Sequence, residues 1–148
     1  KRLPAFSLAD PLDKTWDIQQ LVREGGAVLV VTAATKAQGD VQSAWSDHLL
    51  ASMPQGGPRL ILLEDLGPSW FPDTAVGRMK EEYDPNKPPL LLIDRESEAR
   101  KALGVEEDTT VVLVYSSDLA LVHVDRGEPS RERAEKAWKA LGDGGGAK

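Results

Sequence analysis

Residues 27 to 40 limit what the chain can fold into more than any other stretch. Ala27-Val28-Leu29-Val30-Val31-Thr32 is an unbroken run of apolar or β-branched residues; a strand with one wet face would alternate instead. The run therefore predicts a central strand buried on both faces. A turn of small residues, Ala33 to Gly39, leads into Val41, Ala44, Trp45 and Leu49 at helical spacing, which predicts a helix over 40–52. Asp40 stands where its carboxylate would cap that helix and meet the positive end of its dipole.

The flanking chain continues an α/β pattern. Leu3 to Asp10 alternates weakly after Pro4 and predicts a short edge strand, followed by a turn over Asp10 to Lys14. Asp17 and Gln20 have capping-box spacing in front of a short helix on Ile18, Leu21 and Val22, ended by Gly25-Gly26. Arg59 to Glu64 is a second buried strand one helix away from the first, the interval of a parallel βαβ unit. Thr74 to Tyr83 predicts a helix on Val76, Met79 and Tyr83, and Leu90 to Asp94 a short strand. Glu96 to Leu103 predicts a helix stopped by Gly104, and Thr109 to Tyr115 with Leu119 to Val124 a hairpin. Ser130 caps a last helix on Ala134, Ala137, Trp138 and Leu141. A single domain over residues 1–141 is expected, with a disordered tail at 142–148.

The segment Val28-Leu29-Val30-Val31-Thr32-Ala33-Ala34-Thr35-Lys36-Ala37-Gln38-Gly39-Asp40 resembles the strand, turn and helix of thioredoxin-like proteins of the TlpA/ResA and peroxiredoxin-related group, whose line runs V-L-V-N-F-W-A-T-W-C-x-x-C. Pro4, Phe6 and Leu8 match the P-x-F-x-L opening of that group. Gly104-Val105-Glu106-Glu107-Asp108-Thr109-Thr110-Val111-Val112-Leu113-Val114 resembles its G-V-x-G-x-P-T-T-F-L-I. The resemblance implies a thioredoxin-like three-layer sandwich, a mixed central sheet of about four or five strands flanked by helices, with an N-terminal extension. In its frame Ala37 and Asp40 occupy the two cysteine positions, and Thr109 the position of the cis-proline that faces them. An ordinary trans bond is expected before Thr109, because a cis peptide before a non-proline costs about 2.5–4 kcal/mol. A weaker resemblance, through Glu106 to Val114, is to cysteine-free periplasmic proteins of the YtfJ type.

The chain of 148 residues contains no cysteine, so thiol–disulfide exchange and peroxide reduction, which begin with a thiolate, are excluded by composition. A net charge of −6 argues against a nucleic-acid or anionic-membrane partner. No apolar run reaches the length of a membrane helix. The chain opens on Lys1-Arg2, which leaves room for a removed signal peptide or lipid-anchored leader; an extracytoplasmic, periplasmic setting in a bacterium is the expectation, a cytoplasmic one the alternative.

No stretch reads as a catalytic site, and no cofactor or metal is called for. His48 and His123, the only histidines, lack ligand spacing. Adjacent carboxylates such as Glu64-Asp65, Glu81-Glu82 and Glu106-Glu107 point to different faces and read as solvated rather than catalytic. Lys36, Ala37, Gln38, Gly39, Asp40 and Thr109 are the positions of a vestigial active site. Trp70 and Phe71, set between Pro68 and Pro72, are the candidate binding loop; the alternative is that they fold back over the sheet, as exposed aromatic patches are rare on monomers. Trp45 and Trp138 read as core. The leading expectation is a redox-inactive thioredoxin-fold domain that binds or scaffolds another protein. The alternatives are a non-thiol enzyme or small-anion-binding protein using the Thr35 to Asp40 helix N-terminus, and a homo-oligomeric structural unit joined by a sheet edge or the Trp70-Phe71 loop.

Overall fold

A computed structural model of the chain describes residues 1–33, 35–67, 69, 71–106 and 109–142. In chain order the elements are Ser7–Ala9 (β1), Thr15–Asp17 (β2), Ile18–Arg23 (α1), Ala27–Ala33 (β3), Lys36–Ser52 (α2), Arg59–Asp65 (β4), Pro72–Glu82 (α3), Leu90–Asp94 (β5), Glu98–Leu103 (α4), Thr110–Tyr115 (β6), Leu121–Asp125 (β7) and Arg131–Ala140 (α5). All seven strands join one sheet in the order β2-β1-β5-β4-β3-β6-β7. β3, β4 and β5 run parallel; the remaining pairings are antiparallel.

Strand β3 is buried along its whole length because it feeds two cores at once. Ala27, Leu29 and Val31 pack with Ile18, Leu21 and Val22 of α1 and Ala99 of α4. Val28 and Val30 pack on the other face with Trp45 and Leu49 of α2 and Ala134, Ala137 and Trp138 of α5. The indole Nε1 of Trp138 also donates to the carbonyl of Leu49 at 3.0 Å, tying the two helices of that layer together. The result is the expected three-layer α/β sandwich around a mixed sheet.

Two expectations need correction. The sheet has seven strands rather than four or five, and β1 is an inner strand, since β2 pairs with its outer side. A strand of three residues, Thr15-Trp16-Asp17, is too short to show a period. The second correction concerns α2, which begins at Lys36, capped by Thr35 in extended geometry; its hydroxyl accepts from the Gln38 amide at 3.3 Å. The small residues read as a turn are already helical, because Gly39 meets no steric conflict there and its amide donates to the Thr35 carbonyl at 2.8 Å. Asp40 is consequently an exposed residue inside the helix rather than its cap.

Other local expectations hold. Asp17 accepts from the Gln19 and Gln20 amides at the start of α1, and Ser130 from the Arg133 amide at the start of α5. Gly104 closes α4 in the left-handed conformation at φ 73°, and Trp45 and Trp138 are core residues. Gly25, at φ 129°, allows a close approach: a side chain there would meet the backbone of Gly57 at 2.6 Å, where the chain enters β4. No helix of the described residues is long and apolar enough to cross a membrane. Of the expected tail, residues 143–148 lie outside the described residues, while Gly142 still belongs to the helical turn after α5.

Candidate functional site

Ligands of open α/β sheets bind beyond the carboxyl ends of the parallel strands. At those ends Thr32 of β3, Glu64 of β4 and Ile93 of β5 are register partners, and Thr110 of antiparallel β6 pairs with Thr32. Strand alternation sends Leu62 and Glu64 to the α2 side of the sheet and Asp65 to the α4 side. Both carboxylates are buried, which corrects the expectation that Glu64-Asp65 is a solvated pair. They meet opposite surroundings.

Asp65 is fully partnered. Its Oδ1 accepts from the Gly67 amide at 2.9 Å and the Ser97 hydroxyl at 2.6 Å, and its Oδ2 from Arg100 Nε at 2.7 Å. Arg100 in turn donates to the Val105 carbonyl at 2.8 Å. Beside it, Asp94 accepts from the amides of Glu98, Ala99 and Arg100 and so caps α4. Burial pushes the Asp94 carboxyl above its ordinary value, and the amides of Arg100, Glu98 and Ala99 pull the other way. This cluster is a clamp between β4, β5 and α4 in which every carboxylate oxygen accepts at least one hydrogen bond.

Glu64 faces a cavity of about 760 Å³ between α2, the sheet and α3, whose lining includes Gly39, Asp40, Leu62, Met79 and Tyr83. Its side chain has no hydrogen-bond or ion-pair partner among the described residues, although the residue is only 8 % exposed. Loss of solvation, and secondarily the charge of Asp65, push its carboxyl up to about 7. Glu64 is thus an acid–base group poised near neutrality, set in an open cavity.

Among the described residues, two of the vestigial positions border this cavity. Gly39 and Asp40 line it. Gln38 Oε1 accepts from the Thr110 hydroxyl at 2.7 Å, and Thr32 Oγ1 donates to Thr110 Oγ1 at 3.4 Å, so hydroxyl and amide groups lock the start of α2 to the sheet. Ala37 is exposed, and Lys36 is the first residue of α2. Thr109, aligned with the family's cis-proline, donates to the Glu106 carbonyl at 2.8 Å; it is its neighbour Thr110 that meets α2. The peptide between Asp108 and Thr109 lies outside the described residues, as does Trp70. Phe71 is 71 % exposed where α3 begins, so it does not fold back over the sheet. Among the described residues, no three His, Cys, Asp or Glu side chains converge as a metal site would require. Glu64 is the residue sequence reading passed over. Its signal was present: an acidic residue ending an apolar strand, in phase with Leu60 and Leu62 toward the central helix.

No protein-family profile matches the chain, and no curated protein matches it. Solved structures do. An uncharacterized conserved protein from Geobacillus kaustophilus superposes with a TM-score of 0.75 at 20 % identity, over 97 % of this chain and 82 % of that one. The exposed lipoprotein thioredoxin Etrx1 of Streptococcus pneumoniae gives 0.72 at 13 % identity, over 93 % and 100 %. Peroxidoxin BcpB of Mycobacterium tuberculosis gives 0.68 at 16 % identity, over 95 % and 96 %. The chain has a thioredoxin-like fold. On that thioredoxin-like scaffold, positions 37 and 40 carry Ala and Asp, and the sequence supplies no cysteine elsewhere.

Proposed function

We propose that the chain is a redox-inactive thioredoxin-fold domain that works as a protein-binding module, with the cavity between α2 and α3 as its binding site. The observation that carries this reading is the pairing of a locked helix start with an open cavity. Where a dithiol would be reached, Gln38 and Thr110 are bonded to each other; next to them lies a recess bordered by α3, a helix without a buried residue. Exposed Phe71, at the head of α3, adds an apolar contact of the kind that anchors protein interfaces. An extracytoplasmic setting agrees with the lipoprotein nature of the pneumococcal neighbour.

The test is affinity capture from an extract of the source organism with wild type, Phe71→Ala and Gly39→Tyr as baits. A side chain at Gly39 meets open space and fills the cavity mouth without backbone conflict. One protein retained in stoichiometric amount by wild type, and lost with Gly39→Tyr while that bait keeps its circular dichroism and melting temperature, is the expected result. Equal retention by all three baits overturns the proposed site.

A second reading, an enzyme without sulfur, is favoured by Glu64 alone: a buried carboxyl near pH 7 inside a cavity is suited to general base work. The small-anion alternative has less support, because among the described residues the cavity lining carries Asp40, Glu64, Glu82 and Asp84 against one lysine, Lys87.

A further inference from the structure

We infer that the cavity between α2 and α3 takes an organic cation on an apolar stem, an alkylammonium or guanidinium group, with Glu64 as its counter-ion at the floor. The inference deepens the binding-module reading and rests on it, since it gives the chemistry of what that site receives.

Three properties of the cavity select this class. Its charge is one-sided among the described lining residues: Asp40 from α2, Glu82 from α3 and Asp84 from the following loop line it together with Glu64, against one cation, Lys87. Its walls are apolar, with Leu62 and Leu91 from the sheet, Met79 from α3, and Pro88 and Pro89 opposite. Its floor holds Glu64, a residue only 8 % exposed, whose carboxyl has no hydrogen-bond or ion-pair partner among the described residues.

Each alternative ligand class leaves one of these unmet. An anion would meet the like charge of Asp40, Glu82 and Asp84 and, once Glu64 ionises, of its carboxylate. A neutral apolar ligand would complete the desolvation of Glu64 and offer it nothing. A divalent metal needs several oxygens converging at about 2–2.6 Å, and no three candidate ligands converge among the described residues. A cation with a hydrocarbon stem fills the walls and meets the floor.

Such binding is coupled to a proton. Glu64, raised to about 7 chiefly by burial, is largely protonated below that pH in the empty site; a docked cation favours its ionised form, so the proton leaves to solvent as the ligand enters. Asp40, Glu82, Asp84 and Lys87 face the same space, Tyr83 borders it, and Asp65 lies behind Glu64 on β4.

The test is a titration of the whole chain, followed by amide NMR shifts, with n-hexylammonium, n-hexanol and n-hexanoate. Two capped tripeptides, Gly-Lys-Gly and Gly-norleucine-Gly, distinguish a free amine from a side chain presented by a protein. The expected result is that hexylammonium shifts residues 39–43, 62–64 and 79–91, and that hexanol and hexanoate bind at least tenfold more weakly. Affinity should rise tenfold or more from about pH 5 to about pH 8, levelling above the Glu64 value. Glu64→Gln, checked by melting temperature, should lose tenfold in affinity and most of the pH dependence; the rim variant Glu82→Gln should lose far less. Equal binding of hexanol, undiminished binding by Glu64→Gln, or no shift with hexylammonium at millimolar concentration overturns the inference. Binding of the lysine tripeptide ties the cation to a protein partner. Hexylammonium binding without tripeptide binding assigns it to a free amine and overturns the protein-binding reading while this inference stands.

Discussion

Glu64 and Asp65 are adjacent in the chain, yet one is an unpartnered acid and the other the centre of a hydrogen-bonded clamp. The pleat separates them. It turns Asp65 toward Ser97 and Arg100 and leaves Glu64 facing a cavity, so the cost of burying its charge is not offset. The folded chain holds the Glu64 proton to about pH 7, whereas the unfolded chain releases it near 4.5. Between those values the folded state binds the extra proton, and its stability falls as pH rises through the window, becoming flat above it. Relative to Glu64→Gln, the wild type should therefore lose about 3 kcal/mol between pH 4.5 and pH 7.5, read from urea unfolding of both proteins at a series of pH values. Referring wild type to the variant cancels the contribution of Asp94, whose carboxyl is also raised by burial. Equal slopes for the two proteins would mean that Glu64 titrates like an exposed carboxylate.

Helix α2 divides into a part legible from sequence and a part that is not. Its apolar positions Val41, Trp45 and Leu49 set the face that packs on the sheet, because burial of that stripe supplies most of the stabilisation of a helix. Its first turn carries no apolar signal and includes Gly39, so the cap falls to Thr35 instead of Asp40. The two can be told apart by substitution. Thr35→Ala should cost about 1 kcal/mol, the usual loss for a Thr cap, and Asp40→Ala less than about 0.5 kcal/mol, as an exposed position inside a helix that Ala favours; chemical denaturation midpoints at constant m-value decide it. The missed strand β2 has a similar origin. Its three residues are held by Phe6 and Leu8 packing beside Trp16 and by the Asp10 carboxylate, which accepts from Trp16 Nε1 at 3.1 Å; none of these contacts leaves a period in the sequence.

At the scale of the molecule, the parallel β3-β4-β5 core was legible because each strand is an apolar run and a helix separates the first two. The cavity was not, because it depends on where α3 and the 83–89 loop come to rest, and no local pattern encodes that placement. The thioredoxin-like frame around positions 37 and 40 is separable from the chemistry usually carried there, and this can be tested by restoring the sulfur. Ala37 and Asp40 are both exposed and lie one helical turn apart at the start of α2, so their side chains share a face at a Cα separation of about 5–6 Å, within disulfide range. The double variant Ala37→Cys/Asp40→Cys should form an intramolecular disulfide, seen by mass spectrometry of alkylated protein before and after dithiothreitol. The thiol introduced at position 37, in the first turn of the helix, should titrate below the ordinary cysteine value near 8.5. Turnover in insulin reduction should nevertheless stay low, because Gln38, between positions 37 and 40, is bonded to Thr110 of β6. Removing that lock with Thr110→Val in the same background should raise turnover without changing whether the bond forms. Intermolecular dimers in place of the internal disulfide would show that α2 does not present positions 37 and 40 on one face.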